Sequence, residues 1–317
     1  MSRPRLRWLR RLVFYAFLVL VAYLLVRQAR AVDWSQVRAA LAAYDAATLA
    51  VAASLTLASY VLYACYDLGA RRYARHTLPA SRTTAISMTC YAFSLNLGAL
   101  VGGAGLRYRL YMHAGLGIGT IGRIVAFTIS TNWLGYLLLA GGLFIAGQVV
   151  APPQWHLGAR ALPWLGAAML VVCVLYLVAC RAMHGRVFHV RGHHFRLPSV
   201  PLGLLQFALA ACNWSLMAAL LHVLMPHGTP YTAVLGTLLL AAVASAVAHI
   251  PAGIGVLEAV FIALLGHRIP APQLLAALLA YRAFYYLGPL LLAVVGNALL
   301  EARPRADGRR HSSSQSV

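Results

Sequence analysis

Side chains able to do acid–base or ligand chemistry are few in this sequence, and their spacing says more than their number. Six acids occur in 317 residues, and none lies between Asp67 and Glu258, a gap of 190 residues. Paired catalytic carboxylates, His-Glu-x-x-His zinc sites and calcium loops all need carboxylates close to their partners. That long middle stretch offers nothing to build them from. Glu258 follows the break Pro251-Ala252-Gly253-Ile254-Gly255 inside an apolar stretch, where a carboxylate costs ~2.5–3.5 kcal/mol. Arg282 is the one arginine placed within an apolar run long enough to span a membrane. A Glu258–Arg282 pair would relieve both penalties, either as a clamp between two segments or with one partner shared with a substrate. His249, two residues before Pro251, is either a further titratable group or a satisfied core histidine.

A second break lies in the first half, where Asn96 and Gly98 precede Gly102, Gly103 and Gly105, and Arg107 and Arg109 follow at once. Glycines such as Gly102 and Gly103 let backbone amides approach a ligand closely. Arginine matches phosphate oxygens bidentately, which suits a phospholipid headgroup. The competing reading makes Arg107 and Arg109 ordinary anchors at a membrane face. Asn96, a polar side chain in an apolar run, is expected to bond unwound backbone or a facing helix, and Asp67, Asn132 and Asn213 invite the same reading.

Other patterns carry no chemistry. Gly117-Ile118-Gly119-Thr120-Ile121-Gly122 spells a dinucleotide fingerprint, but no strand precedes it and no acid follows at the ribose distance. His184, His189, His193 and His194 sit among Arg181, Arg186, Arg191 and Arg196 without acid or Cys partners, so they read as a basic surface facing anionic lipid. Cys65, Cys90, Cys173, Cys180 and Cys212 include no Cys-x-x-Cys spacing and read as packing residues. No cofactor and no metal are expected.

The elements that position these residues follow from composition. The chain is 62% hydrophobic and 10% charged, against ~25% charged for a soluble domain. All 26 basic residues are arginine, and the net charge is +20. The arginines flank apolar segments singly or in small clusters, which is the pattern of membrane orientation and not of nucleic-acid binding. Leu12–Val26, preceded by five arginines, reads as an uncleaved first helix. Further full-length spans are expected near 47–69, 123–147, 162–180, 201–225 and 272–299. The broken regions 84–122 and 232–266 each hold one long apolar piece and one too short to cross alone.

Arginine placement decides how the broken regions thread. If each crosses once, the two sides of the membrane hold 14 and 11 arginines. If each enters and returns on one side, the split becomes 20 and 5, which obeys the positive-inside rule. The expected fold is therefore an all-α polytopic membrane protein with six full transmembrane helices and two re-entrant broken-helix pairs. The first membrane half is 1–147 with its re-entrant region at 84–122. The second is 148–300 with its region at 232–266, and 301–317 is a disordered cytoplasmic tail. The halves share one element order in opposite orientation, an inverted repeat, in which matching breaks point to a midplane substrate site. Close helix packing at small residues is the alternative role for the glycines. Both termini are expected to be cytoplasmic.

At the two breaks the chain resembles a known family. Pro251 through Glu258, together with Tyr281-Arg282-Ala283-Phe284-Tyr285-Tyr286-Leu287-Gly288-Pro289, resembles the YbhN-like family, the transmembrane flippase-like region of lysylphosphatidylglycerol synthases. Asn96-Leu97-Gly98 with Gly102 through Tyr108 is similar to that family's other signature, and Ala252 departs from it where a second glycine is common. In two-part relatives, the resemblance implies, this region flips aminoacylated phosphatidylglycerol, and a separate soluble domain makes that lipid. No such domain fits in Glu301–Val317, so no enzyme activity is expected. The leading expectation is a bacterial inner-membrane protein that translocates anionic or aminoacylated phospholipid. Its lipid-binding residues would be Asn96, Gly102, Gly103, Arg107, Arg109, Pro251, Gly253, Gly255, Glu258 and Arg282. The alternatives are a non-transporting partner subunit of a lipid-synthesising enzyme and a membrane-embedded transferase.

Overall fold

The computed structural model describes residues 34–149, 161–183, 186–190, 193–248 and 253–302. The expected first helix at 12–26, Pro251, Ala252, His249 and the tail from 303 lie outside the described residues. A short helix α1 (Trp34–Ala42) leads into α2 (Ala46–Ala74), whose N-cap Asp45 accepts a 2.8 Å hydrogen bond from the Thr48 backbone N–H. With 29 residues at ~1.5 Å rise, α2 is longer than a ~30 Å hydrocarbon core. Arg71 and Arg72 occupy its last turn, where cations favour the helix dipole. Arg71 Nε donates to Leu78 O at 2.7 Å and ties down the turn into α3 (Ala80–Leu97).

The chain then winds through a π-helical segment (Ala99–Gly105) into α4 (Leu106–His113), followed by α5 (Ile118–Ile145) and α6 (Ala161–Ala182). In the second half come α7 (Val200–Leu224), α8 (Tyr231–Ala248), α9 (Val256–Leu265) and α10 (Ala271–Arg282). A π-helical turn (Ala283–Leu287) joins α10 to α11 (Gly288–Ala302). Among the described residues six helices are long and apolar enough to cross a membrane: α2, α5, α6, α7, α8, and the continuous stretch Ala271–Val295. Five match the spans read from sequence. The sixth, α8, is the long apolar piece of the second broken region, and α9 is its short companion.

One departure from an all-α chain occurs outside the bundle. Val187–Val190 pairs antiparallel with His193–Arg196 as a two-stranded hairpin, β1 and β2. Its first strand carries two valines and Phe188 and its second carries Phe195, residue types that favour a pleated strand.

Small residues outside the two broken regions allow close helix approaches. A Cβ on Gly135 of α5 would lie 2.6 Å from the Ala210 backbone of α7, and one on Gly166 of α6 would lie 2.7 Å from Gly141 O of α5. Gln206 of α7 fastens the same region, donating to Thr131 Oγ1 at 2.8 Å and accepting from the Tyr176 hydroxyl. The main apolar core lies between α7, α8, α9 and α10, with Leu221, Leu239, Phe261, Leu274 and Tyr281 fully buried.

Candidate functional site

Both breaks are reversals of the chain, each built on glycine. At the first, Gly98 takes φ +85°, and the Gly102 and Gly103 amides return to its carbonyl at 3.0 and 3.3 Å. A Cβ on Gly102 would sit 2.5 Å from the Phe93 carbonyl carbon, and one on Gly103 would sit 2.8 Å from Ser94 Oγ. The π-helical segment is therefore pressed back against α3, an approach that only glycine permits. At the second break Gly253 takes φ +56° and Gly255 φ +82°. A Cβ on Gly253 would lie 2.6 Å from Ser245 Oγ of α8.

Each returning arm begins with a charged residue held by the opposite charge on a long helix. Glu258, in the first turn of α9, accepts the Gly255 backbone N–H at 2.9 Å. Arg282 Nε donates to Glu258 Oε1 at 2.7 Å, and its Nη2 donates to Oε2 at 3.1 Å and to the Gly253 carbonyl at 3.2 Å. Carboxylate and guanidinium thus meet in a bidentate fork, the strong form of a charged hydrogen bond. The same arginine fixes the backbone of the break at Gly253, and Tyr286 lies under it, its ring centroid 5.4 Å from Cζ. The side chains are 14% and 13% exposed, so the pair is partly open at the surface of the packed interior.

The first reversal holds a mirror arrangement in charge. Arg107, at the start of α4, donates through Nε and Nη2 to the two Asp67 carboxylate oxygens at 3.2 and 3.0 Å. The Tyr111 hydroxyl adds a 2.9 Å bond to Asp67 Oδ2, and the Tyr63 ring lies beneath the guanidinium. Asp67 is fully buried and Arg107 3% exposed. This differs from the sequence reading, which put Arg107 at the membrane face to take a phosphate. Its donors to the site are turned inward onto a carboxylate 40 residues upstream, and Arg282 is not alone among arginines in the helix bundle. Arg109, two residues on, is exposed.

Between the two reversals stands the interrupted last helix. Pro289 lacks the N–H that would bond the Tyr285 carbonyl four residues back, and its ring would clash with that carbonyl. The helix widens instead: Gly288 N–H bonds Ala283 O, a π-type step. The displaced carbonyls are taken by side chains from the first half. Tyr60 OH donates to Tyr285 O at 3.1 Å, and Asn96 Nδ2 donates to Tyr286 O at 3.1 Å and to Ala92 O at 2.8 Å. The Tyr285 hydroxyl lies 2.6 Å from both Ser59 Oγ and Tyr91 OH, and Ser59 Oγ donates to Asn213 Oδ1 at 2.6 Å. Asn96 and Asn213 thus do what sequence reasoning asked of them.

The structure brings Asn96, Gly253, Gly255, Glu258 and Arg282 to one place through this helix, and sets Gly102, Gly103 and Arg107 in the adjoining reversal. Tyr60, Tyr91 and Tyr285 are members that sequence reasoning missed, while Asp67, read as a polar group bonding a facing helix, does so through Arg107 and Tyr111, a charge partner the sequence reading did not name. An acid in the middle of an apolar helix was the available signal for Asp67, and Pro289 the signal for Tyr285. Among the described residues no three His, Cys, Asp or Glu come together as metal donors. What the arrangement offers chemically is a partly exposed charged fork, coupled through one helix to two chain reversals.

The family model described as lysylphosphatidylglycerol synthase TM region matches residues 9–293, which contain both reversals. The chain is 43% identical over 305 residues to inner membrane protein YbhN of Escherichia coli (strain K12), covering 96% of each chain. It is 31% identical over 289 residues, 89% of each chain, to slr0712 of Synechocystis sp., a protein named only as uncharacterized. A match that runs through both reversals and both ion pairs places the chain in one family: it belongs to that of the lysylphosphatidylglycerol synthase TM region.

Proposed function

We propose that the chain translocates phospholipid with an anionic or aminoacylated headgroup across a bacterial inner membrane. The observation that carries this reading is the convergence of both reversals on one interrupted helix, at a bidentate pair that is partly exposed. A phosphodiester presents two oxygens with nearly the geometry of a carboxylate, so it can replace Glu258 at the Arg282 fork. Replacement frees Glu258 from Arg282, and Arg282 at the same time from the Gly253 carbonyl. The second reversal then loses the contacts that fix it, which gives the bundle a second state that only a bound headgroup stabilises.

On this reading the two reversals are re-entrant. The arginine-rich ends of α2 and α3 face the cytoplasm with both termini, as arginine placement demands. The inner membrane is the location named for the Escherichia coli relative. Movement is downhill or ion-coupled, and the chain moves lipid without aminoacylating it.

Proteoliposomes containing a fluorescent phosphatidylglycerol test the proposal. Wild-type protein is expected to raise the rate at which label becomes accessible to an external quencher above that of empty vesicles. Glu258→Gln, at matched folded protein, is expected to change that rate. Equal rates for wild type, variant and empty vesicles, with both anionic and aminoacylated lipids, would sink it.

A further inference from the structure

Outside the charged fork, a groove of about 960 Å³ runs along the surface between α2, α3, α4 and the last helix. That is the upper end of ordinary ligand sites. Thr56, Leu57 and Tyr60 of α2 form one wall, Ala85, Ile86 and Thr89 of α3 another, and Phe284, Pro289 and Leu292 close it from the last helix. Two of the wall hydroxyls are already engaged: Thr56 donates to Ala52 O at 2.9 Å, and Tyr60 to Tyr285 O at 3.1 Å. Apart from Thr89, the walls between the ends of the groove are apolar. Leu57 and Leu292 at its rim are 65% and 76% exposed, so it opens sideways, where a membrane-spanning chain meets hydrocarbon.

One end is different. Arg82, in the first turn of α3, and His113, the last residue of α4, both line it. Both are exposed, and among the described residues Arg82 has no carboxylate partner, since the two ion pairs there use other arginines. A guanidinium and imidazole N–H groups at the mouth of an apolar groove complement an anionic headgroup whose tail lies inside. The length agrees. The Tyr91 ring of α3 lies 4.9 Å from the Tyr60 ring of α2, so the groove descends α3 from Arg82 to that level and continues along α2 to Ala53. At 1.5 Å per residue this makes ~24 Å, beyond the midplane of a ~30 Å hydrocarbon core.

We propose that this groove binds a membrane phospholipid, with Arg82 and His113 holding the headgroup phosphate and an acyl chain lying along Ile86, Tyr60, Leu57 and Phe284. It deepens the translocation proposal, on which its role as an entry site rests. A chain in the groove touches the π-helical turn that follows Arg282, so occupancy is sensed at the helix carrying the charged fork.

The test uses phosphatidylglycerol with a photoreactive diazirine on its acyl chain, in nanodiscs with the full-length protein, and maps labelled peptides by mass spectrometry. Label on Leu57, Phe284 and Leu292 is expected several-fold above label on α6, whose exposed Val171, Val174 and Leu175 report ordinary boundary lipid. Arg82→Gln is expected to lower groove labelling about fivefold, the usual contribution of one basic residue to anionic-lipid binding, and Arg82→Gln with His113→Gln to lower it to the α6 level. Ala85→Trp, a substitution at an exposed wall residue, is expected to do so by filling the groove. Groove labelling no higher than that of α6 overturns the proposal, and so does labelling that ignores Arg82 and His113. Because the readout is binding, a labelled groove in a protein that moves no lipid would refute translocation alone, and lipid movement without groove labelling would refute this site alone.

Discussion

Neutralising Asp67 tests the account of the first reversal most directly. In Asp67→Asn the amide keeps the shape of the side chain and an oxygen for the Tyr111 hydroxyl, so packing and that hydrogen bond survive. What is lost is the negative charge facing Arg107, which is 3% exposed and, among the described residues, in an ion pair with Asp67 only. Removing one partner of a buried ion pair costs about 3–5 kcal/mol, because the remaining charge stays desolvated. At roughly 2 °C per kcal/mol for a chain of this size, the apparent Tm should fall by about 6–10 °C. Fluorescence-detected size-exclusion chromatography of detergent-solubilised protein after heating provides the measurement. Glu258→Gln is the internal comparison. That pair is partly exposed, and only charged hydrogen bonds of about 1.5–3 kcal/mol are at stake, so its shift should be about half as large. The triple variant Asp67→Leu, Arg107→Met, Tyr111→Phe removes every polar group at once and should recover most of the loss, since apolar replacement of a buried pair is often neutral. An Asp67→Asn protein melting within about 2 °C of wild type, or a triple variant as unstable as the single one, would refute the burial argument.

Three further outcomes follow from the same geometry. Gly102→Ala places a Cβ against the Phe93 backbone and should reduce the folded yield sharply, whereas Gly142→Ala, with nothing within 4 Å, should leave it unchanged; the ratio of monodisperse peaks measures both. Asn96→Ala leaves the Ala92 and Tyr286 carbonyls without their side-chain donor and should cost about 1–3 kcal/mol, read as a lowered melting temperature that Asn96→Gln does not restore. His76 follows the end of α2, its ring edge-on to Tyr111, and burial, with the Arg71 charge beside it and against the pull of Asp67, holds its pKa below the usual 6.5. The unfolded chain then binds the proton first, so stability should be complete above pH 6.5 and fall as pH drops through that value toward the folded pKa. His76→Gln should flatten that part of the melting-versus-pH curve.

How much of this was legible in the sequence depended on whether a residue's partner was forced or free. Glu258 and Arg282 each stood as the ionisable group of an apolar run, so each penalty had one obvious relief, and the pair forms as read. Asp67 posed the same problem, but arginine placement assigned 106–123 to a membrane face, and Arg107 there looked like a phosphate ligand. A guanidinium fork fits carboxylate and phosphate alike, so local pattern could not choose between them. The reversals were legible as breaks because glycine at positive φ leaves a sequence mark. The π-helical turn was not, since Ala283 through Leu287 contains neither glycine nor proline. Its cause is Pro289 acting backwards on Tyr285, completed by Tyr60 and Asn96 from the other half of the chain. The β-hairpin escaped notice because histidines and arginines dominated the reading of its loop.

The two ion pairs are opposite in polarity and unequal in access, and the inequality separates their roles. In the first, the arginine belongs to the returning arm and the acid to a long helix; in the second these are exchanged. Opening the Asp67–Arg107 pair would strand both charges away from water, an expense no headgroup could relieve without entering the core beside Tyr63 and Tyr111. Opening the Glu258–Arg282 pair strands its charges less deeply, because both are partly exposed and a phosphate can take the vacated fork. A bundle that moves lipid past these reversals therefore has one fixed and one yielding. The first holds α2, α3 and α4 as the wall of the groove, while the second, joined to that wall through Asn96 and Tyr60, is the part free to change partners.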